Sequence, residues 1–216
     1  MVPDTLKFVN HPLVLNDLYK HIFYATVFLN FVWWVLTDRT KRNTKKGFVF
    51  ALWQTSVCTI FTIMFMVTHD EWYSLGAHAA FLVGMLMDFV YGFIYFPEDM
   101  YLITTNVHHV AYFVMEYMII YVYDLTGHFT LYFLQEFPSF MLNLKRYYSI
   151  NNQVYERVFA WSFFLLRIVY FNFINYMYSE ILLSGNYIFL SVACLAVNYM
   201  HISWFYDYIS NKPKTS

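Results

Sequence analysis

The feature that most restricts the fold of this chain is a succession of apolar runs, each close to twenty residues long and each ended by charge or turn residues. The hydrocarbon core of a bilayer is about 30 Å thick and takes about 20 helical residues to cross. Seven such runs occur, at approximately 21–37, 47–68, 74–96, 101–123, 128–148, 155–178 and 184–207. The breaks between them are short, such as Thr68-His69-Asp70-Glu71, Pro97-Glu98-Asp99 and Ser149-Ile150-Asn151-Asn152. The fifth run is the most irregular, since Glu136 and Pro138 interrupt it and its end is basic. In lipid the backbone must satisfy its own hydrogen bonds, which leaves helices and closed barrels, and short connections make successive helices antiparallel neighbours. The expected fold is all-α, a polytopic membrane protein of about seven transmembrane helices. Its expected divisions are an N-terminal segment with the first helix at 1–40, a helical body at 41–209 and a tail at 210–216.

Composition agrees. Hydrophobic residues make up 60% of the 216 positions and charged residues 12%, against roughly a quarter in soluble domains, so a soluble globule could not hide the apolar surface. A formal net charge of -1 gives no footing for nucleic-acid binding. The two cysteines, Cys58 and Cys194, lie inside apolar runs, and no disulfide framework is expected. The first twenty residues include Asp4, Lys7, Asp17 and Lys20, unlike a cleavable signal peptide, so targeting falls to the first transmembrane helix.

With seven spans, the first, third and fifth loops and the C-terminal tail share one side of the membrane. That side carries ten of the thirteen Lys and Arg residues, namely Arg39, Lys41, Arg42, Lys45, Lys46, Lys145, Arg146, Arg157, Lys212 and Lys214. The positive-inside rule therefore puts the C-terminus in the cytosol. Lys212 and Lys214 stand five and three places from the end and resemble a dilysine sorting signal, which retrieves membrane proteins to the endoplasmic reticulum.

Ionisable residues inside the runs need a reason, because Asp or Arg at mid-membrane costs about 2.5–3.5 kcal/mol on insertion scales. They are Asp88 in the third run, His108, His109 and Glu116 in the fourth, Glu136 in the fifth and Arg167 in the sixth. If these helices surround one interior, the side chains converge there and offset one another's desolvation. His109 and Glu116 are seven apart, so they share a helix face about 10 Å apart along the axis. His108 points about 100° away from His109 and is expected to meet a neighbouring helix. Histidine suits proton transfer near neutral pH or covalent acyl transfer, and Asp88 is the natural partner for a ring N–H. Arg167 would neutralise Glu136 or hold a phosphate or carboxylate headgroup. His78, His128 and His201 lie near run ends and read as interfacial, while Gly76, Ala79, Ala80 and Gly84 read as a close-packing seam. Di-iron chemistry needs repeated histidine boxes, and Thr104 and Thr105 stand where the upstream partner of His108 would sit, so no metal site is expected.

The ordered set resembles the TLC (TRAM, LAG, CLN) domain. It comprises Trp53-x-x-Ser56, Asp88 after a glycine-containing apolar helix, His108-His109, the stretch Leu134-Gln135-Glu136-Phe137-Pro138-Ser139-Phe140-Met141-Leu142-Asn143, Arg167, and Asn198-Tyr199-Met200-His201-Ile202-Ser203-Trp204-Phe205. The resemblance covers roughly residues 41–209 and is closer to the short TLC-domain proteins than to ceramide synthases, whose His-Asp-x-x-Ser-Asp run is missing. Thr59 also stands where many members carry a histidine. The resemblance implies six helices in a barrel around a lipid-accessible cavity and residence in the endoplasmic reticulum. It further implies action on lipids, with His108, His109 and Asp88 catalytic and Glu116, Glu136, Asn143 and Arg167 lining the lipid site. Acyl-CoA-dependent acyl transfer is the expected reaction, with acyl-CoA as co-substrate and no bound cofactor. The alternative is a non-enzymatic lipid-binding or trafficking protein that regulates membrane composition. Membrane lipids are the expected partners, and self-association into homo-oligomers is left open.

Replacing Lys212 and Lys214 by Ser is expected to move a tagged chain from the endoplasmic reticulum to later compartments, as read by microscopy. Unchanged residence would remove the sorting role of the two lysines.

Overall fold

The computed structural model describes residues 12–36, 47–95, 108–123 and 125–210. Regular structure among them is entirely helical, and the chain divides into two compact units, Met1–Ile150 and Asn151–Ser216. Lys212, Lys214 and the basic loop from Arg39 to Lys46 lie outside the described residues.

The first unit holds α1 (Pro12–Leu36), α2 (Gly47–Thr68), α3 (Glu71–Tyr95), α4 (His108–Tyr117), α5 (Thr126–Thr130) and α6 (Glu136–Tyr148). A two-residue turn joins α2 to α3. His69 takes a left-handed φ of 56°, and its N–H donates to the Phe65 carbonyl at 2.8 Å. Asp70 then caps α3, its carboxylate accepting from Trp72 N–H at 2.9 Å, which satisfies one of the orphan donors of the first turn. With so short a turn α2 and α3 must lie alongside one another, and they pack along their length.

How close they come is set by Gly76 and Gly84. A Cβ on Gly76 would run into the Phe61 ring, and one on Gly84 would stand 2.5 Å from Cβ of Gln54. Ala80, buried between the two at four-residue spacing, completes a small-residue stripe facing α2, as the sequence leads one to expect. Close approach also lets Cys58 Sγ reach the Ala77 carbonyl at 3.5 Å. Hydroxyls within α2 turn back on their own helix, Thr55 donating to Ala51 O at 2.6 Å and Thr59 to Thr55 O at 2.7 Å.

Helix α1 lies on α3 through two fully buried leucines. Leu18 packs with Leu75, Ala79 and Ile120, and Leu29 with Phe50, Val83 and Met87. Outside this core, Tyr91 Oη donates to Asn30 Oδ1 at 2.7 Å.

The fifth apolar run is helical but not uniform. A 3-10 stretch at Leu131–Gln135 links α5 to α6, and Thr130, Leu131, Gln135 and Glu136 all keep right-handed helical dihedrals. Pro138 sits in the first turn of α6, where its missing N–H leaves no bond unmade. The helix ends at Ser149, whose left-handed φ of 54° lets Ile150 N–H reach the Lys145 carbonyl at 3.0 Å.

The second unit contains α7 (Gln153–Phe163), a π-helical stretch at Phe164–Tyr170, α8 (Phe171–Met177), the short α9 (Ser179–Leu182) and α10 (Ile188–Ser210). Asn152 caps α7, accepting from Val154 N–H at 2.8 Å. The α8 and α10 helices are joined by paired amides, Asn172 donating to Asn198 Oδ1 at 3.1 Å and Asn198 donating back at 2.9 Å. At the other end of α10, Tyr208 Oη donates to Glu156 Oε2 at 2.6 Å.

Four stretches among the described residues are long and apolar enough to cross a membrane: Phe50–Thr68, Glu71–Ile94, Gln153–Met177 and Ile188–Ser210. They coincide with the second, third, sixth and seventh apolar runs. Large apolar side chains also stand outward at helical spacing, such as Ile60, Ile63 and Val67 on α2 and Val110, Phe113 and Tyr117 on α4. Ladders of this kind on several helices exceed what a soluble surface tolerates and suit contact with lipid. The chain is a multi-pass α-helical membrane protein.

If the Gly84 contact sets the α2–α3 spacing, Gly84→Val should cost about 1–3 kcal/mol by overpacking. That corresponds to about 2–4 °C of melting temperature per kcal/mol for a chain of this size. Gly185→Ala, whose new methyl meets nothing within 4 Å, is the control and should leave detergent-solubilised melting unchanged.

Candidate functional site: two histidine–carboxylate contacts between α3 and α4

Among the residues of the first unit, α3 and α4 are joined by two contacts of the same chemistry. His78 of α3 meets Glu116 of α4 through Nδ1 and Oε1, and Asp88 of α3 meets His109 of α4 with Oδ2 3.5 Å from Nε2. The order 78 to 116 and 88 to 109 makes the two helices antiparallel. It also swaps the roles, since histidine belongs to α3 in one contact and to α4 in the other.

The first contact is sealed. His78 is 0% exposed and Glu116 1%, and around them Thr62, Ser74, Thr126 and Thr130 are buried as well. His78 Nε2 lies 2.9 Å from the Thr126 carbonyl, which can only accept, so Nε2 carries a proton and donates it. Nδ1 and the Glu116 carboxyl then share the one proton between them, as imidazolium with carboxylate or as imidazole with carboxylic acid. Either way the pair is neutral overall, which is how two ionisable groups persist in so apolar a place. Thr130 extends the network. Its hydroxyl lies 2.9 Å from the Thr126 carbonyl, 3.2 Å from His78 Nε2 and 2.5 Å from Ser74 Oγ, while its own carbonyl accepts from Thr62 Oγ1 at 3.1 Å. The Phe133 ring meets the imidazole edge-on with centroids 4.9 Å apart.

The second contact is looser and more open. The His109 side chain is 14% exposed and that of Asp88 33%. At 3.5 Å the groups are in ion-pair range but long for a hydrogen bond. The Phe89 ring stands edge-on to His109, with centroids 6.1 Å apart.

His108 is the first residue of α4, one position before His109. Glu136 opens α6 and Asn143 lies further along it, both half-buried. Arg167 belongs to the second unit, in the π-helical stretch, and is buried with its guanidinium carbon 5.2 Å from the Phe163 ring centroid. Its backbone carbonyl accepts from His201 Nδ1–H at 3.0 Å. Glu116 faces His78 instead of sharing an opening with His109, because α3 supplies a separate partner for each.

His78, His128 and His201, placed near run ends by the sequence, are buried among neighbouring side chains, at 0%, 5% and 1% exposed. For His78 the sequence did hold a signal. It lies two turns inside α3, among Ala77, Ala79 and Ala80, where neighbouring helices come too close for a ring to snorkel outward. The pairing with Glu116 had no such signal, because it depends on how α4 lies against α3.

Removing one partner of the sealed pair strands the other, so His78→Leu and Glu116→Met are each expected to cost about 3–5 kcal/mol. The double variant leaves no stranded charge and should recover most of that loss, measured as a double-mutant cycle on detergent unfolding. Additive losses would show that the two side chains do not act as a unit. In comparisons with family models, with curated proteins and with solved structures, nothing matches this chain.

Proposed function

We propose that this protein is a TLC-type membrane protein that acts on lipids, transferring an acyl group from acyl-CoA, with Asp88 and His109 as the working pair. The observation that carries the reading is the accessible Asp88–His109 contact, set on facing helices beside a second histidine, His108. The imidazole of His109 or His108 takes the proton from a lipid amine or hydroxyl as that group attacks the thioester carbonyl, and Asp88 orients the ring and steadies the imidazolium that forms. When the carbon–sulfur bond breaks, the coenzyme A thiolate leaves and takes that proton. Acyl-CoA enters as co-substrate, and no bound cofactor takes part.

The wider reading has seven membrane passes, the last six forming the barrel around the lipid site, with the fifth pass made by α5, the 3-10 stretch and α6 in series. Their helical path, about 35 Å long, is sufficient for a crossing. Glu136 and Asn143 line the lipid side of the site. Residence in the endoplasmic reticulum with a cytosolic C-terminus completes the proposal. Support comes from the ordered motifs, the basic side of the charge distribution and the terminal lysines.

Microsomes containing the chain and labelled acyl-CoA should yield a new labelled lipid class. His109→Ala and Asp88→Asn are expected to lower its formation by about 100-fold or more, the usual yield of general acid–base catalysis, with melting temperature little changed. No change in any lipid class with the wild-type chain would sink the catalytic reading. Recovery of an unmodified lipid by native mass spectrometry would then favour lipid binding or trafficking.

A further inference from the structure

We infer that His78 and Glu116 are positioning residues for the Asp88–His109 pair, fixing the rotation and register of α4 so that His109 faces Asp88. The inference rests on the reading of that pair as the working site, and it gives the sealed network a role beyond holding the fold together.

Among the described residues α4 spans His108–Tyr117, and the backbone widens into a π-helical turn at Met118–Val122, directly after Glu116 and Tyr117. An irregular turn directly after α4 does little to hold the rotation of the helix, which is left to its side-chain contacts. Slipping α4 by one residue turns each of its side chains by about 100° and shifts it about 1.5 Å along the axis, enough to carry the His109 ring away from Asp88. The accessible contact is too weak to prevent this, being 3.5 Å long and partly open to its surroundings. The sealed contact is not. Glu116 is held by a ring whose other nitrogen is bonded to Thr126 O, and any slip would strip both groups of the partner that keeps the pair neutral in an apolar interior. His109 and Glu116 are seven apart, close to two full turns, so fixing the direction of one fixes the direction of the other.

A merely structural role makes a different forecast from a positioning one. The double variant His78→Leu/Glu116→Met removes the contact without stranding a charge, so it separates the two. The readout is the ring ¹⁵N signals of His109 in the full chain in detergent micelles, assigned by their loss in His109→Gln, and the change they undergo on Asp88→Asn. In the wild-type background that change is expected to be clear. In the folded double variant it is expected to vanish, and lipid turnover to fall at least tenfold. Glu116→Gln, whose amide can still donate to His78 Nδ1, should restore most of both. A folded double variant that keeps the Asp88-dependent change overturns the inference. Should the double variant fail to fold, Glu116→Asp serves, since it keeps the acid but shortens its arm by one methylene. A weakened Asp88-dependent change supports positioning, and an unaltered one overturns it. The spectroscopic arm needs no turnover, so absence of activity in the wild-type chain defeats the catalytic reading and leaves this inference to be decided on its own signal.

Discussion

A histidine and a glutamate at membrane depth can persist only if neither has to carry charge alone, and the neutral contact between His78 and Glu116 meets that condition. Much of the first unit is arranged around it. The α2–α3 turn with its small-residue stripe brings Thr62 and Ser74 alongside, α5 supplies a carbonyl to one ring nitrogen and a hydroxyl nearby, and α4 brings the acid. Each donor is an unremarkable residue, and together they convert a costly pair into a cross-link among four helices.

The accessible pair, Asp88 and His109, has the same chemistry under different conditions. Partial exposure and a 3.5 Å separation leave it adjustable, which suits groups that must respond to a substrate. Two contacts of one kind on one helix pair thus divide between a fixed function and a variable one. Depth of burial, rather than residue type, makes the difference.

Much of the architecture was readable from the sequence because it follows from local physics. Runs of about twenty apolar residues mark α2, α3, the α7–α8 stretch and α10, and the spacing of Gly76, Ala80 and Gly84 marks the face on which α3 meets α2. The polar centre was readable only in part. Asp88 and His109 declare themselves as costly residues in apolar surroundings, but their distance does not. Pairing His78 with Glu116, 38 positions away, requires knowing how two helices lie, which no periodicity encodes. The 3-10 and π-helical stretches escaped for a related reason, since Glu136 and Pro138 announce an irregularity without saying that the backbone would tighten instead of breaking.

The exchange of roles between α3 and α4 bears on how the chain enters a bilayer during synthesis. Helix α4 carries His108, His109 and Glu116, and so partitions poorly as an isolated segment. Its complement, His78 and Asp88, sits on the helix synthesised just before it. Entering lipid together as a hairpin, the two helices pair these groups, which α4 alone would leave unpaired. A parallel alignment would set acid against acid and ring against ring, so these four side chains favour the antiparallel order.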